Sequence, residues 1–408
     1  MLDVIVVGAG PAGMTAAGTA ARRGRAVALL ERNARPGRKL MISGKGRCNL
    51  TNDCTLAQFM ENVPNGGKFL FSAVSQFTPQ DVMTFVEGLG VPLKVERGRR
   101  VFPVSDKAVD VVDALQNFAA QSGVRTVHGR AAQLLLENGA VGGVRLEDGS
   151  ELRAHAVLVC TGGASYPLTG STGDGYALAR QAGHTVAEPR PSLVPLETLE
   201  DWPRDAQGLS LRNVTLTVLD TKTGKPVFEE LGEMLFTHFG VTGPLVLSAS
   251  ARMAHMEPGR YRLHIDLKPA LRPEQLDARL QRDLLQFGSR DFSNSLGGLL
   301  PAKLIPVFVR QSGIPAAEKS NQVTREQREA AVRLFKDMEL TVKGFRPIEE
   351  AIVTSGGVSL REVNPKTMES KLTRGLYFAG EVLNADAFTG GFNLQIAFAT
   401  GRAAGLAV

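Results

Sequence analysis

Cysteine is scarce in this chain of 408 residues, which holds only Cys48, Cys54 and Cys160. Three thiols cannot make a disulfide framework, which excludes a small secreted scaffold and suits a reducing cytoplasm. No stretch approaches the roughly 18 consecutive apolar residues of a membrane-spanning helix, so no membrane association is expected. Met1 runs straight into an apolar segment without a basic region or cleavage site, and a secretory leader is not expected either. The histidines at 128, 155, 184, 238, 255 and 264 show no H-E-x-x-H or other metal-ligand spacing, so no metal is expected. Neither G-x-S-x-G nor a P-loop is present, which removes the common hydrolases and NTPases. Repeats and low-complexity tracts are lacking too, and collagen and coiled coil are excluded.

What is present is the composition of a folded globular protein, 43% hydrophobic and 22% charged. The length exceeds one ordinary domain and falls short of three, so two domains, or one with a large insertion, are expected. The net charge of +6 is uneven. Between Arg22 and Arg47 lie nine cations (Arg22, Arg23, Arg25, Arg32, Arg35, Arg38, Lys39, Lys45, Arg47) and one acid, Glu31, so this stretch carries +8 and the rest of the chain −2. Such local basicity suits cofactor phosphates, an anionic substrate or nucleic acid, and equally a solvated basic face.

The segment from Met1 to Glu31 reads as a β-α-β unit. Residues 3–7 form a continuous apolar run with β-branched side chains, the pattern of a strand buried on both faces. A glycine turn, a small-residue helix over 11–23 and a second strand over 26–30 follow. Residues 107–122 read as helix, 154–160 as another buried strand running into Thr161, Gly162 and Gly163, and 176–182 as helix. Pro189, Pro191 and Pro195 then mark a crossing between domains. Beyond them the alternation is β-like, as in 211–219 and 260–267, with a helix over 324–336 capped by Thr324. After Pro347 the buried-strand and glycine texture returns, ending in an apolar helix over 394–406. The reading is an α/β chain with a domain built from 1–188 and 347–408, and an inserted β-rich domain over 189–346.

Gly8, Gly10 and Gly13 form a G-x-G-x-x-G that follows a buried strand and opens a helix, with Pro11 and Ala12 between. Gly8 permits the tight turn, Gly10 lets backbone approach a pyrophosphate, and Gly13 lets helix pack on strand. The helix N-terminus would hold the pyrophosphate. Glu31 ends the second strand at the distance beyond Gly13 that suits an acid accepting from ribose hydroxyls. Spacing alone does not choose between FAD and NAD.

The string from Pro36 to Asn52, Pro-Gly-Arg-Lys-Leu-Met-Ile-Ser-Gly-Lys-Gly-Arg-Cys-Asn-Leu-Thr-Asn, resembles the signature of the BaiN/RdsA-like family of bacterial FAD-dependent oxidoreductases. Further matches lie at 102–108, 161–176, 232–240, 364–372 and 380–395, so the resemblance covers nearly the whole chain. It implies a Rossmann-type FAD domain, doubly wound and glutathione-reductase-like, interrupted by an inserted β-rich domain with a helical segment. The FAD-binding residues it implies, beside Gly8, Gly10, Pro11, Ala12, Gly13 and Glu31, are Arg32, Lys39, Ser43, Gly44, Arg47, Asn49, Ala131, Thr161, Gly162 and Gly163. Towards the C-terminus they are Gly380, Glu381, Gly391, Asn393 and Leu394. Where relatives commonly have an acid after Gly-Glu-Val-Leu, this chain has Asn384, with Asp386 two residues on. Glu381, at the end of a strand, is therefore the group expected at the flavin ribityl chain. The dipole of the last helix would favour negative charge at flavin N1 and O2.

The resemblance implies NADH or NADPH as a transient reductant and reduction of an electron-poor C=C bond, either the uracil 5,6 bond in ribosomal RNA or an enone in a steroid-like acid. Hydride goes to the β-carbon and a proton to the α-carbon. His238, within Phe-Thr-His-Phe-Gly, is a candidate proton donor and otherwise a structural histidine; Arg47 is a second candidate catalytic group. Cys48 and Cys54 are separated by five residues in a segment that is not a redox-motif helix, so no catalytic disulfide is expected. The partner is a small molecule or ribosomal RNA, with no obligate protein partner. If it is RNA, cations of 22–47 not used by FAD, with Arg97, Arg99 and Arg100, would hold its backbone. The rival reading is a structural or sensory flavin that engages nucleic acid without turnover.

Overall fold

The computed structural model describes residues 1–408, in two compact units, Met1–Ser192 with Pro347–Val408, and Leu193–Arg346. The first unit begins with β1 (Leu2–Val7), the first helix (Pro11–Arg22) and β2 (Val27–Glu31). Val4 to Val7 are all buried, and β1 lies between two parallel neighbours, which is why it reads as an unbroken apolar run. A small antiparallel sheet follows, made of β3 (Thr51–Asn52), β4 (Leu93–Glu96) and β5 (Arg100–Pro103), with β5 in the middle. The chain continues through a helix (Ala108–Gln121), β6 (Arg125–His128), the hairpin β7 (Ala131–Glu137) and β8 (Ala140–Leu146), and β9 (Glu151–Val159). A helix (Asp174–Gln181) leads to β10 (Val186–Ser192).

Leu193–Arg346, the second unit, is a closed six-stranded antiparallel barrel with helices. Its strands are β11 (Leu196–Thr198), β12 (Ser210–Asp220), β13 (Lys225–Phe236), β14 (Gly240–Thr242), β15 (Tyr261–Asp266) and β16 (Met338–Phe345), and pairing of β11 with β16 closes it. Leu216, Phe236, Leu263, Ile265, Leu340 and Val342 are buried in this unit's own core. Thr324 caps the helix Arg325–Lys336 in a reciprocal pair with Gln327.

The chain returns to the first unit through β17 (Val353–Val358), β18 (Leu376–Phe378) and the last helix (Phe392–Ala407). The main sheet runs β6-β2-β1-β9-β8-β7, with β18 also parallel to β9. Five strands are thus parallel, the Rossmann-type arrangement, and the β7–β8 hairpin extends the sheet antiparallel. The first unit gives way to the second between Ser192 and Leu193, among Pro189, Pro191 and Pro195; Pro189 and Pro191 themselves lie in β10, paired with β17, and are tolerated because the sheet has only two strands and the register shifts between Ala187 and Arg190. First and last helices pack backbone to backbone: a Cβ on Gly401 would stand 2.4 Å from the Ala12 carbonyl oxygen, and one on Gly405 2.5 Å from that of Ala16.

Candidate active site

The turn after β1 is built by steric need. Gly8 has φ +100°, and a Cβ there would meet the Cys160 carbonyl oxygen at 2.6 Å; one on Gly13 would meet the Gly8 carbonyl oxygen at 1.9 Å. Gly10 faces open space. It is the N-cap of the first helix and offers no side-chain cap, Pro11 has no N–H, and the N–H groups of Ala12 and Gly13 have no acceptor in the chain. Uncapped donors at the positive end of a helix, beside a glycine that leaves room, form an anion site.

Glu31 is buried next to this turn. Its Oε2 accepts from the Ala9 N–H at 2.8 Å, and its Oε1 accepts from the N–H and side-chain amide of Asn33, both at 2.8 Å. Oε2 keeps free acceptor capacity, as a ribose hydroxyl requires. Arg32 turns to Asp174, at 3.0 Å, which Arg130 also binds. Ala131 opens β7 and is buried.

Gly380, with φ +77°, brings the end of β18 against the same turn, since a Cβ on it would lie 3.0 Å from that of Ala12. The next residue, Glu381, accepts from Lys39 Nζ at 2.8 and 2.9 Å, from the Thr354 N–H at 2.8 Å and from the Ser165 hydroxyl at 3.3 Å. Thr354 Oγ1 in turn accepts from the N–H groups of Ala164 and Ser165. Gly162 is left-handed, and a Cβ on Gly163 would stand 2.4 Å from Thr354 Oγ1. Lys39, Thr161, Gly162, Gly163, Gly380 and Glu381 are thus drawn together, and Thr354 and Ser165, which sequence reasoning missed, hold them. The only signal for Thr354 was its place before the pair Gly356 and Gly357. Asp386 is also buried; it accepts from Asn65 at 3.1 Å and Ser192 at 3.0 Å, while Asn65 donates to Asn384 Oδ1 at 3.0 Å. Burial pushes the Asp386 carboxyl above its ordinary range.

The segment after Lys39 folds as a tight left-handed run, with Gly44 at φ +58°, Lys45 at +59° and Gly46 at +83°. Ser43 donates to the Leu40 carbonyl at 2.7 Å. Asn49, with its amide oriented to satisfy both neighbours, donates to the Thr51 carbonyl and accepts from the Gly391 N–H, each at 3.1 Å. A Cβ on Gly391 would stand 2.3 Å from the Thr51 carbonyl oxygen, so loop and last helix meet there backbone to backbone. Asn393 braces the approach through the N–H and carbonyl of Ala387, and Leu394 lies in the first turn of that helix, which starts two residues earlier than read from sequence.

Arg47 contacts Glu96 and Asp106, the latter at 2.7 Å, and its guanidinium lies 4.2 Å from the Phe102 ring centroid. The carboxylates raise its already high pKa, so it holds its proton and cannot serve as an acid. His238 belongs to the second unit, exposed in the turn between β13 and β14 with its ring against Phe239. All three cysteines are free and buried. Burial pushes the Cys48 and Cys160 thiols up to about 12 and Cys54 up to about 11, the opposite of a reactive thiolate.

Most side chains of the basic stretch 22–47 make contacts within the chain, although Arg22, Arg23, Arg25, Arg35, Arg38 and Lys45 are exposed. Arg22 lies over the Phe118 ring, while Arg23 and Arg25 donate to the Val408 carbonyl oxygen at 2.8 and 3.2 Å. Arg35 pairs with Asp113 at 3.0 Å and Arg38 donates to Asn33. Lys45 is exposed and has no hydrogen-bond or ion-pair partner. No helix is long and apolar enough to cross a membrane.

The family model of the HI0933-like protein Rossmann domain matches residues 2–407. A 3-dehydro-bile acid delta(4,6)-reductase of Clostridium scindens is 32% identical over 98% of this chain and 98% of its own length. A ribosomal RNA dihydrouridine synthase of Escherichia coli is 30% identical over 98% of this chain and 96% of its own. In fold, the chain resembles a 3-ketosteroid-delta4-(5alpha)-dehydrogenase from Rhodococcus jostii RHA1, with a TM-score of 0.54, 16% identity, and coverage of 100% of this chain and 96% of that one.

Proposed function

The chain belongs to the HI0933-like Rossmann family, and on that premise we propose that it is an FAD-dependent oxidoreductase that takes electrons from NADH or NADPH and reduces an electron-poor C=C bond. The observation that carries the reading is the open start of the first helix. The acceptor-free N–H groups of Ala12 and Gly13 suit a pyrophosphate, and the spare capacity of Glu31 Oε2 suits the adjoining ribose. Arg32, Ala131, Thr161, Gly162 and Gly163 would border the adenosine half. Lys39, Gly380 and Glu381 would meet the ribityl chain, with Ser43, Gly44, Asn49, Gly391, Asn393 and Leu394 around the ring.

Bound FAD would supply hydride to the β-carbon of the alkene, renewed from NAD(P)H. The start of the last helix favours negative charge beside it. His238 is assigned the proton for the α-carbon, since an imidazole ring can donate an N–H proton to a developing carbanion. The names of the two curated relatives both denote hydrogen added across a C=C bond, and the same reaction is assigned here, on a uracil 5,6 bond or a steroid-like enone. The test is anaerobic. The purified protein should be yellow with extractable FAD, bleach on addition of NAD(P)H, and regain colour with substrate. A colourless protein that takes up no FAD would overturn the reading, and a flavin that NAD(P)H never bleaches would favour a structural or sensory flavin.

A further inference from the structure

We propose that the turn carrying Arg97, Arg99 and Arg100 docks the phosphodiester backbone of an RNA substrate; this rests on the C=C reductase reading above and selects its RNA form. All three arginines are exposed, and none is ion-paired to a carboxylate. The Arg97 guanidinium has no partner at all. Arg99 reaches only Gln58, and Arg100 only the Arg97 carbonyl oxygen, at 3.0 Å, apart from the outer approach of its guanidinium to the Phe102 ring. In residues 22–47, by comparison, acids from distant parts of the chain neutralise Arg32, Arg35, Lys39 and Arg47, and of the other five cations all but Lys45 turn to a ring, a main-chain oxygen or an amide of the chain. Counting Lys45, Arg47 and Lys94 with the three arginines against Asp53, Glu96 and Asp106 leaves the patch at +3.

The turn is also held in place by hydrogen bonds. One side-chain amide, that of Asn52, donates both to the Gly98 carbonyl, at 3.0 Å, and to the Gly390 carbonyl, at 3.1 Å. β3 therefore separates the arginines from the start of the last helix by a single strand, a spacing of about 5 Å per step. Asp53 donates its N–H to the Arg99 carbonyl at 2.8 Å, and Arg99 is held left-handed at φ +59°. A strained non-glycine residue persists only where its surroundings over-determine it, often at binding sites. One carboxylate of a small acid is satisfied by one bidentate arginine. Three separate guanidinium groups around a turn suit successive phosphates instead, with specificity left to the base that enters the site.

The test uses the FAD-loaded protein and a labelled, uridine-containing ribosomal RNA hairpin. Affinity is measured at several salt concentrations for the wild type, Arg97→Gln/Arg99→Gln/Arg100→Gln, Arg97→Glu and a control, Arg22→Gln/Arg35→Gln. The log–log salt slope of the triple variant should be shallower by about 2, from about 0.7 per contact on a single strand. Affinity should fall at least tenfold in the triple variant and several-fold in Arg97→Glu, where no intramolecular contact is lost. The control should stay within twofold, and bleaching by NAD(P)H should be unchanged in all. A triple variant with wild-type slope and affinity overturns the proposal, as does a wild type that shows no salt-dependent binding. If flavin bleaches and an enone restores its colour while RNA does not bind, this inference alone fails. If flavin never bleaches, the underlying reading fails.

Discussion

Replacing Glu31 by glutamine separates two jobs that the carboxylate does at once. In the protein alone, its oxygens take three donors, two from Asn33 and one from the Ala9 N–H. Glutamine has one carbonyl oxygen; turned towards Asn33, it aims its NH2 at the Ala9 N–H. One buried donor is then unsatisfied, at a cost of about 1–3 kcal/mol to the cofactor-free fold. Towards FAD, the charge-assisted bond between Oε2 and a ribose hydroxyl is lost as well. Such a bond contributes about 1.5–3 kcal/mol, or roughly 10–150-fold in Kd. Thermal melts of apoprotein across an FAD series report both, because ligand stabilisation grows as RT ln(1 + [L]/Kd). The Glu31→Gln apoprotein should melt earlier, and its rise with FAD should begin at a concentration at least tenfold higher. An earlier melt with an unshifted FAD dependence would refute the ribose assignment and leave Glu31 as a strut for the turn.

Cys48→Ser/Cys54→Ser should leave flavin bleaching by NAD(P)H and recovery with substrate within about twofold, since the thiols are buried and protonated; a variant that bleaches but cannot recover would point to a thiol relay. His238→Gln should bleach normally yet recover its colour on substrate at least tenfold more slowly, and equal recovery would remove His238 as the proton donor. Gly401→Ala should destabilise the first unit by about 1–3 kcal/mol, because its Cβ would sit 2.4 Å from a backbone oxygen and force the two helices apart; an unchanged melt would mean that the helices separate freely. Arg23→Gln/Arg25→Gln should lower the melting point without altering RNA affinity, because these side chains hold the end of the last helix; weakened RNA binding at unchanged stability would return them to the docking surface.

The parts of the fold legible in the sequence are those decided among near neighbours in the chain. Val4 to Val7 announce a strand buried on both faces, Gly8 and Gly13 stand in a turn whose spacing the motif itself prescribes, and Thr324 caps its helix through nearby Gln327. The closing of the second unit was not legible, because β11 and β16 must meet with every other strand and helix of that unit between them in the chain. Nor was the ring of donors around Glu381, where Thr354 and Ser165 stand 189 residues apart in sequence. The basic stretch misled for the same reason. A count of charges cannot show that Asp113, Asp174 and Glu381 return to neutralise Arg35, Arg32 and Lys39, nor that Arg97, Arg99 and Arg100 meet no carboxylate.

The helix pair held together by Gly401 and Gly405 also sets an order of events during synthesis. Gly380 and the last helix, which pack against the first helix and its glycine turn, leave the ribosome only after the second unit is complete. At about 5–20 residues per second, the stretch from Pro347 to Val408 takes roughly 3–12 s to appear. The barrel, continuous in sequence, can fold in that interval. The first helix has to wait with the face that will meet Gly401 and Gly405 still bare. The nascent protein therefore passes through a stage with a finished middle and an unfinished frame, and its demand for chaperone protection should peak then, ending only as the last helix docks.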